Sequence, residues 1–156
     1  MNKTRWLTPL ILLLLLLPSS TIEGATLYVK QDGDGTDGES WETAYRTIGE
    51  AVGNTMPNDS IWVADGTYEE HVIVEIPLDL YGSFRGFENS PQQRDLSLGR
   101  TVIDQRQDGS IVMTTQDLVL DGFNLVNGWA WAGASIQWAC RTKASYSSMD
   151  IRNTID

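Results

Sequence analysis

Two stretches of the chain, IWVADGTYEEHVIVEIPLDLYG at 61–82 and TVIDQRQDGSIVMTTQDLVLDG at 101–122, align without a gap at an offset of 40 residues. Val72 falls on Val112, Leu78 on Leu118, Leu80 on Leu120 and Gly82 on Gly122. Each 22-residue unit holds three short apolar runs, at 61–63, 72–74 and 78–80 and then at 101–103, 111–113 and 118–120. The runs are rich in β-branched residues and separated by turn formers such as Asp65-Gly66 and Asp108-Gly109, which predicts strands and excludes helices. Three strands of three or four residues cannot enclose a core alone. Stacked on a copy of themselves, they bury a continuous apolar column, so the repeat demands a stacked architecture. A third unit starts at once, with Phe123 and Leu125 in register with Thr101 and Ile103, and weaker strands follow at 134–136 and 149–151.

Ahead of the repeat lie the strand-like Leu27-Tyr28-Val29, a Gly/Asp-rich loop at 32–38 and a short helical pattern. Thr47 with Glu50 three residues later forms a capping box, Ala44, Ile48, Ala51 and Val52 share one face, and Gly53-Asn54 ends the helix. The expected organisation is an N-terminal cap at 25–58, a strand and helix laid over the first strand edges, which would otherwise recruit other chains. Repeat units follow at 59–128 with a loop inserted at 83–100, then an incomplete unit at 129–156.

The strings LYV (27–29), AYRTI (44–48), DSIWVADGTY (59–68), LYGSFRGF (80–87), TVID (101–104) and LDGFNLVNG (120–128) resemble the secreted right-handed parallel β-helix proteins of the pectin-lyase-like superfamily over residues 26–128. The resemblance implies an all-β solenoid of three-strand coils. It implies less about activity, because that superfamily includes polysaccharide lyases, hydrolases and adhesins. Proteins of this kind usually run on for more coils, so the chain reads as the N-terminal piece of something longer. A last coil left uncovered would favour self-association.

Lys3 and Arg5, the apolar run 10–17 and Pro18-Ser19-Ser20 make a signal peptide, with cleavage expected near Gly24 or Ala25. The run is too short for a bilayer core, which needs roughly 17 to 25 apolar residues. The expected location is therefore extracellular or at the cell surface. A net charge of −10, one unit more negative once the leader is lost, argues against nucleic acid as a partner. Cys140 is the sole cysteine, so no intrachain disulfide can form.

Candidate sites are few. Lyases of the resembled superfamily hold calcium on carboxylates stacked across neighbouring coils. The gapless alignment instead sets Asp79 against Val119, Asp104 against Ala64 and Asp121 against Tyr81, which leaves no catalytic residue to assign. A glycosidase would need acids converging on one face. His71, the only histidine, reads as a solvated turn residue. Asp32, Asp34, Asp37 and Glu39 are dense enough to offer a weak calcium site, although their spacing fails the EF-hand register; a flexible acidic turn is the plainer account. Arg85, Arg94 and Arg100 in the inserted loop can pair with uronate or sulfate, or internally with Glu88 and Asp95. Trp129 and Trp131 would point the same way in an extended chain and could stack on sugar rings, although a turn packed on the next coil explains them equally well. The expectation is a structural or recognition protein, with a polysaccharide or cell-surface glycan as its partner. The alternative is a fragment of a polysaccharide lyase or glycoside hydrolase whose catalytic coils lie elsewhere.

Overall fold

A computed structural model of the chain describes residues 24–97, 101–106, 110–128, 136–138 and 149–152. The expected signal segment, Arg100, Trp129, Trp131, Cys140 and most of the incomplete last unit lie outside the described residues. The described fold is predominantly β, with parallel sheets and one α-helix. No described helix is long and apolar enough to cross a membrane.

The strands of the described residues fall into three sheets. Sheet 1 contains β1 (Thr26–Val29), β2 (Ser60–Ala64), β5 (Leu78–Phe84) and β8 (Leu118–Asp121), side by side in that order. Sheet 2 contains β3 (Gly66–Tyr68), β6 (Thr101–Asp104), β9 (Phe123–Val126) and β11 (Met149–Arg152), and sheet 3 contains β4 (Val72–Val74), β7 (Val112–Thr114) and β10 (Ile136–Trp138). From β2 to β10 the chain visits sheets 1, 2 and 3 in turn, three times over, and every described strand pair is parallel.

Alternation along the strands builds the core. Leu27, Ile61, Leu80 and Leu120 point inward from sheet 1, Tyr68, Ile103 and Leu125 from sheet 2, and Val72, Val74 and Val112 from sheet 3, merging into one buried cluster. Helix α1 (Ile48–Asn54) buries Ile48 and Ala51 in the same cluster. Thr47 Oγ1 accepts from Glu50 N at 3.1 Å and Glu50 Oε2 accepts from Thr47 N at 3.2 Å, so the capping box forms as the spacing predicts.

The 40-residue offset holds in two sheets and fails in the third. Val72 pairs with Val112 and Leu78 with Leu118, as aligned. The run at 61–63, however, belongs to sheet 1 and pairs with β5, whereas Thr101 pairs with Gly66, an offset of 35. The expected turn at Asp65-Gly66 is in fact a one-residue step from β2 into β3. Consequently Asp104 does not face Ala64; it lies opposite Val126. Asp79 against Val119, Asp121 against Tyr81, and Phe123 and Leu125 against Thr101 and Ile103 stand as aligned.

At the corner between sheets 1 and 2 the aligned glycines touch. A Cβ on Gly82 would lie 2.5 Å from Gly122 O, and Gly122 has a φ of +81°. Ser83 bridges the same corner, its Oγ donating to Gly122 O at 2.8 Å and its N–H to Thr101 Oγ1 at 2.8 Å. β5 carries one extra residue here relative to β2, a bulge that turns the chain out into the inserted loop.

Candidate recognition surface

The outward row of sheet 1 is aromatic. Tyr28, Trp62 and Tyr81 are register partners, with Asp121 next in line. Around them gather Trp41 from the cap loop and Phe84 from the end of β5. Trp62 stacks on Phe84 at 4.8 Å between centroids and 8° between planes, while Tyr28 meets Trp41 edge-on at 4.7 Å and Trp62 at 5.5 Å. This second cluster lies on the opposite side of sheet 1 from the main core. Its trace in the sequence is an aromatic between two inward-pointing neighbours in each of LYV, IWV and LYG, a regularity that composition typical of strands does not by itself bring out.

The inserted loop covers this cluster and is fastened to it at two places. Arg94 lies over the rings of Tyr81 and Phe84 at 5.1 and 5.4 Å. Its Nη2 donates to Asp121 Oδ2 at 2.9 Å and its Nη1 to Gly82 O at 3.2 Å, with both members of the ion pair only 9 % exposed. Its carboxylate partner is therefore Asp121, 27 positions away, rather than the expected Glu88 or Asp95. A buried guanidinium so engaged presents little to a ligand. Glu88 makes the other fastening. Its buried carboxylate accepts from the backbone N–H groups of Arg85 (2.8 Å), Gly86 (3.1 Å) and Phe87 (3.2 Å), and its carbonyl accepts from Trp41 Nε1 at 2.8 Å.

The result is a firmly held loop tip with outward-facing side chains. Arg85 is exposed and Phe87 is 70 % exposed, beside Lys30, whose Cε would lie 3.0 Å from a Cβ on Gly86. The two described arginines of this loop that the sequence singles out thus part ways: Arg85 faces the surface and Arg94 is internal.

The acidic loop disperses its carboxylates. Asp32 pairs with Lys30 at 3.2 Å, Asp34 accepts from Thr36 N at 2.8 Å, and Asp37 accepts from Glu39 N at 2.9 Å. Hydrogen bonds from Thr43 and from the Glu39 backbone lower the Asp37 pKa. Each of these three closes its own contact, and Glu39 is exposed. Among the described residues no three His, Cys, Asp or Glu side chains gather as a metal ion would require.

The strand acids are also engaged. Asp104 accepts from Asn127 Nδ2 at 2.7 Å and shares Arg106 with Glu69, the latter pair at 2.6 Å. Asp79 accepts from Tyr81 Oη at 3.2 Å; burial and the neighbouring Asp79 raise the tyrosine pKa. Among the described residues His71 Nε2 is enclosed without a hydrogen-bond partner, so no carboxylate orients it as a base through that nitrogen.

Comparison of the chain with protein-family models, with curated proteins and with solved structures gives no match.

Proposed function

We propose that this chain is an exported, right-handed parallel β-helix of pectin-lyase-like type, and that its role is glycan recognition at an outer surface. The repeated visit to sheets 1, 2 and 3 through parallel strands supports a coiled path, and the strong preference of parallel crossovers for one hand supports right-handed winding. The basic, apolar and small-residue layout of residues 1–24 supports export.

The observation that carries recognition is the tip of the inserted loop. Glu88 grips three successive backbone N–H groups from beneath, so Phe87 and Arg85 are held outward at small entropic cost on binding. An exposed ring gives a stacking face for the C–H side of a sugar, and a guanidinium pairs with a uronate carboxylate. Asp79, Asp104 and Asp121 are occupied by tyrosine, amide or arginine partners, which favours binding over general acid–base chemistry.

The test is retention of the purified mature protein on immobilised polygalacturonate and on a neutral glucan. Phe87→Ala should lose retention on both, and Arg85→Ala chiefly on the uronate, each by about fivefold or more, in line with the roughly 1 kcal/mol of a single surface contact. Retention unchanged in both variants, or absent from the parent protein, would overturn the reading.

A further inference from the structure

The first strand of each sheet has an outer edge, and the N-terminal segment closes the backbone of two of the three; at the third, α1 packs against β4 but no described strand pairs with it. In sheet 1, β1 covers β2, and the cap loop covers β1 in turn: Tyr28 N donates to Gly38 O at 2.8 Å, Tyr45 N to Tyr28 O at 2.9 Å and Lys30 N to Tyr45 O at 2.8 Å. In sheet 2 the edge of β3 is closed by a side chain, Gln31 Nε2 donating to Thr67 O at 2.6 Å.

Sheet 3 begins with β4, and its edge is different. Val72 N donates to Ile111 O and Val74 O accepts from Thr115 N, which commits Val72 and Val74 to β7. In a parallel ladder the residue between them turns its N–H and C=O the other way, so Ile73 directs both groups away from β7. No described strand lies there. What does lie there is a groove of about 500 Å³ between β4 and α1, whose lining includes Val52, Gly53, Thr55, Ile73, Glu75 and Ile76. Ile73 is 50 % exposed, and the register neighbour of its outward side chain is Met113 rather than a charged residue. The groove has an apolar floor and an unpaired backbone edge. Its charged lining residue is Glu75, and its lining includes no lysine or arginine.

We propose that this edge is a strand-addition site, and that its occupant is an extended segment of a partner protein in which apolar residues alternate with lysine or arginine. The backbone of the segment extends sheet 3 through Ile73, its apolar side chains lie on Val52, Ile73 and Ile76, and its cations meet Glu75. An isolated basic patch on the partner would not suffice, because the groove supplies only part of its recognition through charge. This surface is separate from the loop tip and stands or falls independently of it.

The experiment uses a fluorescein-labelled, end-blocked peptide of alternating lysine and valine. One control peptide has glutamate in place of lysine, and a second has proline at alternate positions, so that it cannot donate to an edge. The lysine–valine peptide should bind, the two controls should bind at least about tenfold more weakly, and the Ile73 amide should gain hydrogen-exchange protection in the complex. Gly53→Leu keeps the fold testable, since a Cβ there meets nothing within 4 Å and leucine suits a helix better than glycine. It fills the groove and should weaken peptide binding at least about tenfold with no loss of thermal stability. Equal binding of the proline peptide, unchanged binding to Gly53→Leu, no added protection at Ile73, or no binding of the lysine–valine peptide would each overturn the proposal.

Discussion

Arg85 and Arg94 look alike in the sequence, two cations in one polar loop, and they do opposite things. Arg94 is held by a carboxylate and two aromatic rings brought to it by β5 and β8, so its role depends on strand pairing and cannot be read from its neighbours. Arg94→Ala should therefore destabilise the protein by about 3 kcal/mol, since it breaks a buried ion pair with Asp121 and removes the guanidinium packed on two rings, whereas Arg85→Ala should change stability by less than about 0.5 kcal/mol. Urea unfolding of the two variants checks this. Glu70 is a second acid whose role is invisible in sequence. Its carboxylate takes Ile48 N at 2.9 Å and Gly49 N at 2.8 Å, fastening α1 to the chain just beyond β3. Burial raises its pKa above 4.5, the two backbone bonds oppose that shift, and Glu50 adds to it. A raised folded-state value means that the folded protein takes up the proton more readily than the unfolded chain. The associated stability is complete below the unfolded value and is lost as the pH rises through the folded one. Compared with Glu70→Gln, the parent protein should gain thermal stability as the pH falls through the region just above 4.5. A difference in melting temperature that does not change with pH would show that Glu70 is not titrating there.

At the scale of elements, local signals were legible and non-local ones were not. The Thr47–Glu50 box is complete within four residues, so spacing alone sufficed to place α1. Strand existence was also legible, because short apolar runs bounded by turn formers are too brief for helices and too apolar for loops. Which strand pairs with which was legible only where spacing was undisturbed. β4 with β7 and β5 with β8 keep the same offset, but the inserted loop lengthens the step from β5 to β6 while β2 passes to β3 through Asp65 alone. Three-residue apolar runs carry no identity beyond their spacing, so a gapless alignment matches 61–63 to 101–103 and misses β3. The corner glycines align correctly, and their contact gives a sharp test of the pairing. Gly82→Ala would drive a Cβ into the Gly122 carbonyl, a backbone atom that cannot swing aside, and should cost about 2 kcal/mol or more in urea unfolding. Gly53→Ala, with open space at its Cβ, should be neutral or stabilising by up to about 1 kcal/mol.

For the whole molecule, the decisive question is whether any face gathers chemistry that can turn over a polymer. Setting Asp104 opposite Ala64 isolates it from other acids, and the sheet 2 register removes that isolation. In the observed pairing Asp104 and Glu69 come to a common Arg106, closer to paired carboxylates than a gapless alignment allows. Both carboxylates are nevertheless engaged there: each is paired with that guanidinium, and Asn127 Nδ2 further occupies Asp104. Asp121 is likewise held by Arg94, and Glu70 and Glu88 by backbone N–H groups. Removing uronate protons or cleaving glycosidic bonds requires acids or bases free to exchange protons with the substrate. If the acids of the described residues are the ones that matter, the chain should release neither unsaturated nor reducing ends from polygalacturonate or neutral glycans, with or without calcium, and on the proposed reading it should still be retained by the immobilised polymer through Phe87 and Arg85. Ultraviolet absorbance of unsaturated uronates and a reducing-end assay follow the two chemistries separately. Calcium-dependent unsaturated products, abolished by Asp104→Ala or Asp121→Ala in variants that keep the parent circular dichroism, would place catalysis on these sheets and overturn the proposal of a recognition role.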